Sequence, residues 1–311
     1  MVSIFAFRKM KISLAILLCL VASNALAQKK CLERAREISP QLSSETRRDF
    51  ETKLAQAQRD FEKNPNDTDH LIWLGRRTAY LGRYKEAIKI YTEGIEKFPT
   101  DARLYRHRGH RLITLRCFDA AVVDLEKAAQ LMTGKPDEIE PDGLPNARKI
   151  PTGTLQSNVW YHLGLAYYLK GDFGRALRAY REAEKVSRNA DTLVATTHWL
   201  YMTLRRLGRE KEASQTLEPI KDDLDVIENT DYYKLIKLYQ GKLNPEDLLG
   251  EIGTKVSTLS NATVGYGLGN WFLYNRRRAE AEKIFRRVTA GDQWASFGYI
   301  AAEAELKPAE R

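Results

Sequence analysis

The chain has 311 residues, a formal net charge of +9 and an apolar share of 43%. This length and composition exclude an intrinsically disordered chain and allow a sizeable core in one or two domains. The chain has only 10 prolines and 19 glycines, and Ala, Leu, Arg, Lys, Glu and Tyr are abundant, which is typical of packed helices.

The first 27 residues have the three parts of a secretory signal peptide. Three cations within residues 8–11 precede the apolar run 12–22, and the small residues of 25–27 form a cleavage site. We therefore predict cleavage between Ala27 and Gln28, and a mature protein that is exported to the periplasm or secreted. A retained membrane anchor is the alternative, but the apolar run is shorter than the roughly 20 residues that a span needs.

The predicted mature chain stays basic, because removal of three positive charges lowers the net charge from +9 to +6. In an exported protein this balance favours acidic peptides, anionic glycans or a negative membrane surface as partners over nucleic acid. No later segment approaches spanning length, so we expect no membrane span after signal removal. Cys31 and Cys117 are the thiols that remain, and the sequence leaves open whether they form a disulfide.

Small and aromatic residues recur along the chain with a period of 34. Gly109 follows Gly75 by 34 residues, and Ala121 follows Ala87 by the same interval. Small residues are needed where the two helices of a hairpin cross, because a large side chain there would force the helices apart. Later copies share this pattern of small and aromatic positions: Trp160, Gly164, Tyr167, Gly171, Ala176 and Tyr180; Leu200, Gly208 and Ala213; and Gly269, Phe272, Ala281 and Phe285.

On these residues, segment 46–306 resembles a tetratricopeptide-repeat protein of an exported bacterial type. The resemblance implies an all-α, right-handed superhelical solenoid of helix-turn-helix repeats. About six hairpins are expected, with a degenerate one at 232–249, a lone helix at 46–63 in front and a capping helix at the end. Residues 28–45 are then an N-terminal extension and 307–311 a polar tail. The resemblance also implies a scaffold that binds a peptide or partner protein without catalysis.

In this fold the first helix of each hairpin lines a concave groove. Guanidinium groups bind carboxylates in a bidentate fork and tyrosines offer rigid contact area, so basic and aromatic positions there suit an acidic peptide. The alternative is that they are ordinary solvated residues. The predicted groove residues are Arg76, Tyr80, Arg103, Arg106, His110, Tyr161, Tyr168, His198, Arg205 and Tyr274.

An insertion interrupts the repeats at 133–156. It is rich in proline and glycine and carries four carboxylates within residues 137–142, so it is predicted to be a loop. Long loops in compact repeat arrays are often functional, and this one could fold over the groove or form part of a binding site. It could equally be a tolerated surface excursion whose acidic half only neutralises the basic groove.

The sequence contains no recognisable catalytic motif. His107 and His110 lie three residues apart, but no cysteine or spaced carboxylate completes a metal site. We therefore predict no catalytic residue, no metal and no cofactor. One alternative is an enzyme or enzyme subunit that uses His110 or His162 between the insertion and the groove. Another is a structural component of a cell-envelope assembly. The sequence does not decide the oligomeric state.

Overall fold

The computed structural model describes residues 26–252 and 258–307, so residues 1–25 of the predicted signal peptide and most of the predicted polar tail lie outside the described residues. Ala27 and Gln28 lie in a helical segment at 26–34. Over the described ranges, secondary structure is helical apart from one isolated bridge between Ile139 and Thr154. None of the described helices is both long and apolar enough to cross a membrane.

Fourteen α-helices follow within the described residues, and they form an all-α solenoid. Their bounds are α1 Ser44–Lys63, α2 Thr68–Tyr80, α3 Tyr84–Lys97, α4 Ala102–Thr114, α5 Phe118–Met132, α6 Leu155–Leu169, α7 Phe173–Val186, α8 Ala190–Arg206, α9 Glu210–Thr216, α10 Thr230–Tyr239, α11 Pro245–Ile252, α12 Leu259–Tyr274, α13 Arg278–Thr289 and α14 Phe297–Leu306. The predicted front helix is α1, the predicted degenerate hairpin is α10 with α11, and the predicted final helix is α14.

The even-numbered helices α2 to α12 are the first helices of six described hairpins. Each contacts the next first helix, so that together they form one continuous row, which we call the inner row. The second helices pack against the inner row. Each touches the first helix of its own hairpin, of the next hairpin or of both. The inner row therefore corresponds to the lining of the predicted groove.

A glycine in the first helix faces a large side chain of the second helix in four hairpins. The pairs are Gly75 with Tyr91, Gly109 with Leu125, Gly164 with Tyr180, and Gly269 with Phe285. In each pair a Cβ on the glycine would stand less than 3.0 Å from the facing side chain, which is closer than packed carbon atoms approach. The predicted helix crossings at Gly75, Gly109, Gly164 and Gly269 are therefore confirmed.

Within the described residues, the fourth and fifth hairpins have no such pair. In the fourth, Tyr201 stands in the first helix seven residues before the turn glycine Gly208, as Gly75 stands before Gly82. The second helix, α9, has only 7 residues and ends at Thr216. Tyr201 stacks on Tyr239 of the next first helix, with ring centroids 4.4 Å apart. A large residue at the crossing thus goes with a shortened second helix and closer contact along the inner row.

The turn of every described hairpin contains one residue in the left-handed backbone conformation. Four of these residues are glycines, which adopt it without steric cost. The other two are Arg116, with a φ of 62°, and Arg276, with a φ of 64°. A side chain in this conformation costs roughly 1–2 kcal/mol. The two arginines differ in surroundings, since Arg276 is exposed and Arg116 is half-buried.

Arg116 joins the first part of the solenoid to its last helix. Its Nε lies 2.7 Å from a Glu303 carboxylate oxygen, and its guanidinium stacks over the Trp294 ring at 4.0 Å. Next to it, Cys117 forms a disulfide with Cys31, with Cα atoms 5.8 Å apart. The disulfide fixes the N-terminal extension to the same turn. This turn therefore holds three distant parts of the chain together.

We expect opposite effects from glycine at the two equivalent turn positions. Arg276→Gly removes the backbone strain and should raise the free energy of unfolding by about 0.5–1 kcal/mol, after the larger unfolded-state entropy of glycine is subtracted. Arg116→Gly also loses the Glu303 and Trp294 contacts and should lower it. Chemical denaturation of both variants tests this. An equal gain for both would mean that the Arg116 contacts contribute nothing to stability.

Candidate functional site

The predicted groove residues fall into a front group on α2 and α4 and a rear group on α6, α8 and α12. The front group contains Arg76, Tyr80, Arg103, Arg106 and His110; the rear group contains Tyr161, Tyr168, His198, Arg205 and Tyr274. The insertion lies on Arg76, Tyr80 and Arg106 of the front group. Helix α14 contacts His110 of the front group and Tyr161 of the rear group.

A buried ion pair sits at the centre of the front group. Arg106 is only 7% exposed, and its Nη2 lies 3.0 Å from a Glu140 carboxylate oxygen. The other Glu140 oxygen accepts a hydrogen bond of 3.1 Å from the Asn158 side-chain amide. Burial lowers the pKa of Arg106 and Glu140 opposes this shift, but a guanidinium remains charged at neutral pH. The inner row thus already holds a carboxylate.

Two further arginines bind the backbone of the same segment. Arg76 Nη1 donates to the Pro141 carbonyl oxygen at 2.8 Å, and Arg77 Nη1 donates to the Gly143 carbonyl oxygen at 2.8 Å. Both guanidinium groups stack on Trp73, at 4.5 and 4.7 Å from the ring centroid. Gly143 packs against Tyr80 and Arg76, so closely that a Cβ would fall 1.5 Å from the Tyr80 hydroxyl oxygen.

The insertion folds over the groove, and its Glu140 offsets the positive charge there. The loop runs between Met132 and Leu155, so the last two residues of the predicted range, 155–156, already belong to α6. We call residues 138–143 the covering segment.

We call Arg76, Arg77, Tyr80, Arg106 and Asn158, which hold the covering segment, the front site. Arg103 does not belong to it. Its guanidinium contacts the carboxylates of Asp101, at 2.7 Å, and Asp69, at 2.5 Å, and the hydrogen bond to Asp101 raises its pKa. Asp69 lies 34 residues before Arg103. The pair therefore links consecutive repeats, and this prediction of a groove residue is corrected to a structural contact.

The rear group is closed by aromatic packing. Tyr168 of α6 shares a hydrogen bond of 2.9 Å with the Tyr266 hydroxyl of α12, across the inner row. His198, 1% exposed, stacks between the rings of Tyr232 and Tyr239 at 4.5 and 5.8 Å. These side chains form part of the core, although the sequence predicts them to line an open groove.

Arg205 and Tyr274 contact each other at the end of the rear group. The Arg205 guanidinium lies 4.4 Å above the Tyr274 ring, and Arg205 Nη2 donates to the Asn275 side-chain oxygen at 3.2 Å. Tyr274 also makes an edge contact with Tyr201. Both predicted residues are therefore engaged within the solenoid.

The final helix packs on α12 and α13, and its Phe297 reaches α4 and α6. Phe297, at its first turn, lies 5.3 Å from His110, 5.6 Å from His162 and 6.2 Å from Tyr161, measured between ring centroids. At the other end of α14, Glu305 pairs with Arg206 of α8. The helix thus caps the stack, as the sequence predicts, and it also bridges the inner row.

The histidines of this region are neutral packing residues. Burial lowers the pKa values of His107, His110 and His162 well below the ordinary value, and neighbouring arginines act in the same direction. His162 Nδ1 lies 2.6 Å from the Asn158 carbonyl oxygen, so it carries the proton of the neutral ring. Across 26–252 and 258–307, no three residues of the His, Cys, Asp or Glu types are grouped to hold a metal ion.

Open space remains between the two covered halves. A cavity of about 340 Å³ is bordered by His110 and Phe297 on one side and by Glu228, Asp231 and Tyr232 on the other. Its acidic wall comes from the loop before α10 and from that helix. The front site is thus basic, whereas this cavity has an acidic wall.

Two residues of this contact were not among the predicted ones. Arg77 holds the covering segment, and Glu140 supplies its carboxylate. The signal was present in the sequence as a block of carboxylates in the insertion opposite a basic row. The sequence does not show which carboxylate meets which arginine, because the loop has no periodicity that would fix the pairing.

Comparisons with known proteins agree on the repeat. A family model described as "Tetratricopeptide repeat" matches residues 157–190, which span most of α6, all of α7 and the start of α8. The BBSome complex member BBS4 of Bos taurus is 26% identical over 141 residues, which are 45% of this chain and 23% of that protein. The match thus spans about a quarter of that relative.

Solved structures show more distant likeness. The crystal structure of MamA protein is 17% identical, with a TM-score of 0.42, and covers 64% of this chain and 89% of its own. The structure of YrrB, "a TPR protein with an unusual peptide-binding site", is 15% identical, with a TM-score of 0.43, over 81% and 98%. The architecture therefore rests on this chain's own helices.

Acid should destabilise the protein through its buried histidines, and His198 gives the clearest case. Burial lowers the pKa of His198 to about 3 from the ordinary 6.5. Between these values the unfolded chain binds a proton that the folded chain excludes, so stability is complete above pH 6.5 and falls as the pH drops towards 3. At pH 5 the loss from this one group is about 2 kcal/mol.

Substitution of His198 by glutamine isolates this contribution. The free energy of unfolding of His198→Gln should change between pH 7 and pH 5 by about 2 kcal/mol less than that of the wild type. Urea denaturation at the two pH values measures the difference, which is independent of the packing cost of the substitution. An unchanged pH dependence would show that His198 titrates normally in the folded protein.

Proposed function

We propose that this chain, in which residues 157–190 match a tetratricopeptide-repeat model, is a non-catalytic scaffold that binds an acidic segment of a partner protein at the front of its inner row. The binding site consists of Arg76, Arg77 and Arg106, together with Tyr80 and Asn158. A protein-interaction role is what the repeat architecture supports most generally. The choice of site and of an acidic partner comes from the side chains themselves.

The observation that carries the proposal is the carboxylate of Glu140 in contact with Arg106. A buried guanidinium needs a counter-charge, since removal of one partner of such a pair costs about 3–5 kcal/mol. The inner row provides the charge, the Asn158 amide donor and the burial, and the occupant provides only a carboxylate. The same groups suit a glutamate or aspartate from another protein.

The front and the rear of the inner row differ in the contacts that hold the segments lying on them. At the rear, Phe297 and the stacked aromatic rings bury apolar surface, and their separation would expose it to water. At the front, charged and polar contacts hold the covering segment, and Ile139 and Leu144 beside them are 69% and 55% exposed. The front can therefore exchange its occupant at lower cost.

An exported location is part of the proposal. The signal-peptide pattern of residues 1–27 supports it, and so does the geometry of Cys31 and Cys117, whose disulfide would persist in an oxidising compartment. A partner would then be another exported or envelope protein.

Partner recovery tests the site with a matched control. Cross-linked protein is purified from the exported fraction, where the mature chain should begin at Gln28, and bound proteins are identified. Arg106→Gln should lower recovery of the specific partner at least tenfold, because its carboxylate loses the charged contact. Arg103→Gln removes the same charge one turn away on α4, and it should leave recovery unchanged because Asp69 and Asp101 occupy Arg103.

Two results would contradict the proposal. Equal loss in both variants would mean that net charge, and not the front site, attracts the partner. Full recovery with Arg106→Gln, in a variant whose melting shows that it is folded, would place the interface elsewhere.

A further inference from the structure

We infer that the covering segment occupies the place of an external ligand, and that this ligand is an extended peptide with the pattern Glu-Pro-x-Gly. The inference rests on the proposed function and names the class of partner. The three specified positions of the pattern correspond to Glu140, Pro141 and Gly143, each of which contacts the inner row. A partner peptide with the same pattern would displace the segment and take over those contacts.

Residues 138–140 of the covering segment pair with a fixed edge of the chain, around the isolated antiparallel bridge between Ile139 and Thr154. Glu140 N donates to the Gly153 carbonyl oxygen at 3.0 Å, and Leu155 N donates to the Glu138 carbonyl oxygen at 2.9 Å. Residues 153–155 lead directly into α6, which anchors that edge. An incoming peptide can make the same two bonds, as in recognition by strand addition.

The glutamate of the pattern is specified by Arg106 and Asn158. Both carboxylate oxygens of Glu140 are used, one by each side chain. A glutamine would keep a hydrogen-bonding oxygen but lose the charge, and buried guanidinium groups bind neutral oxygens more weakly. The position therefore selects an acid over its amide.

The residues after the glutamate are specified by shape. The Pro141 carbonyl oxygen meets Arg76, and proline favours the extended backbone that presents this carbonyl. Gly143 lies flat against Tyr80, where any side chain would overlap the hydroxyl group. Asp142 between them is poorly accommodated, because its Oδ2 is buried with no hydrogen-bond partner among the described residues, and burial and the nearby Glu228 raise its pKa. An uncharged residue at this third position would fit better than the chain's own aspartate.

The covering segment is suited to reversible displacement. Its own Ile139 and the adjacent Leu144 face solvent, so its release exposes little new apolar surface. It is tethered at both ends to α5 and α6, which keeps its effective concentration near the millimolar range. An external peptide must compete against this concentration, and free wild-type protein should therefore bind such a peptide weakly.

A direct test uses the full chain and a fluorescent synthetic peptide of residues 137–144. In Gly143→Val the segment cannot lie against Tyr80, whereas Arg76, Arg77, Arg106 and Asn158 are unchanged. Fluorescence anisotropy should show at least tenfold tighter binding to Gly143→Val than to the wild type. A peptide that carries Glu140→Gln should bind at least tenfold more weakly, and added Arg106→Gln should abolish binding to the released protein.

A second release variant guards against misfolding. Glu140→Gln in the protein removes the charge of the segment without a steric change, and it should also bind the peptide more tightly than the wild type. Equal peptide binding by the wild type and both release variants would overturn the inference, because the segment would not compete. Absence of binding to any variant would also overturn it, and the proposed function would then stand or fall separately on the partner recovery with Arg106→Gln.

Discussion

Close approach of the two helices within four of the described hairpins is the constraint on which the rest of the structure depends. It is possible because glycines such as Gly75 and Gly164 accept the rings of Tyr91 and Tyr180. Those rings then reach towards the inner row, where Tyr91 stacks on His107 and Tyr180 meets Tyr161. Tight hairpins thus bring the aromatic side chains of successive repeats together. Non-neighbouring helices of the inner row also come into contact, as α6 and α12 do through Tyr168 and Tyr266.

Charge and apolar surface are divided along the inner row. The rear is bridged by rings and by α14, and its polar atoms are used within the core, as in the Tyr168–Tyr266 hydrogen bond. The front concentrates guanidinium groups that helix packing does not require, and these groups bind the backbone and the carboxylate of a loop. A scaffold of this kind combines a rigid closed half with a half whose occupant is held by electrostatic contacts.

Much of the fold could be predicted from local pattern. The spacing of Gly75, Gly109 and Gly164 fixes the hairpins, and the weak pattern at 232–249 marked the short helices α10 and α11. How far the solenoid curves inward was not predictable, because the periodicity describes a single repeat. It does not give the rotation between repeats that accumulates over six of them. For that reason Tyr168 and His198 appeared as groove residues although they are buried. Arg103 could have been excluded, since Asp69 stands one period before it.

The central claim is that the front of the inner row binds a carboxylate through Arg106, and a double-mutant cycle measures that interaction directly. The free energy of unfolding is determined for the wild type, Arg106→Gln, Glu140→Gln and the double variant. A buried pair with 9% and 12% side-chain exposure should give a coupling energy of about 2 kcal/mol, reduced only slightly by salt. A coupling energy near zero would show that Arg106 does not hold the carboxylate, and the account of the front site would be contradicted.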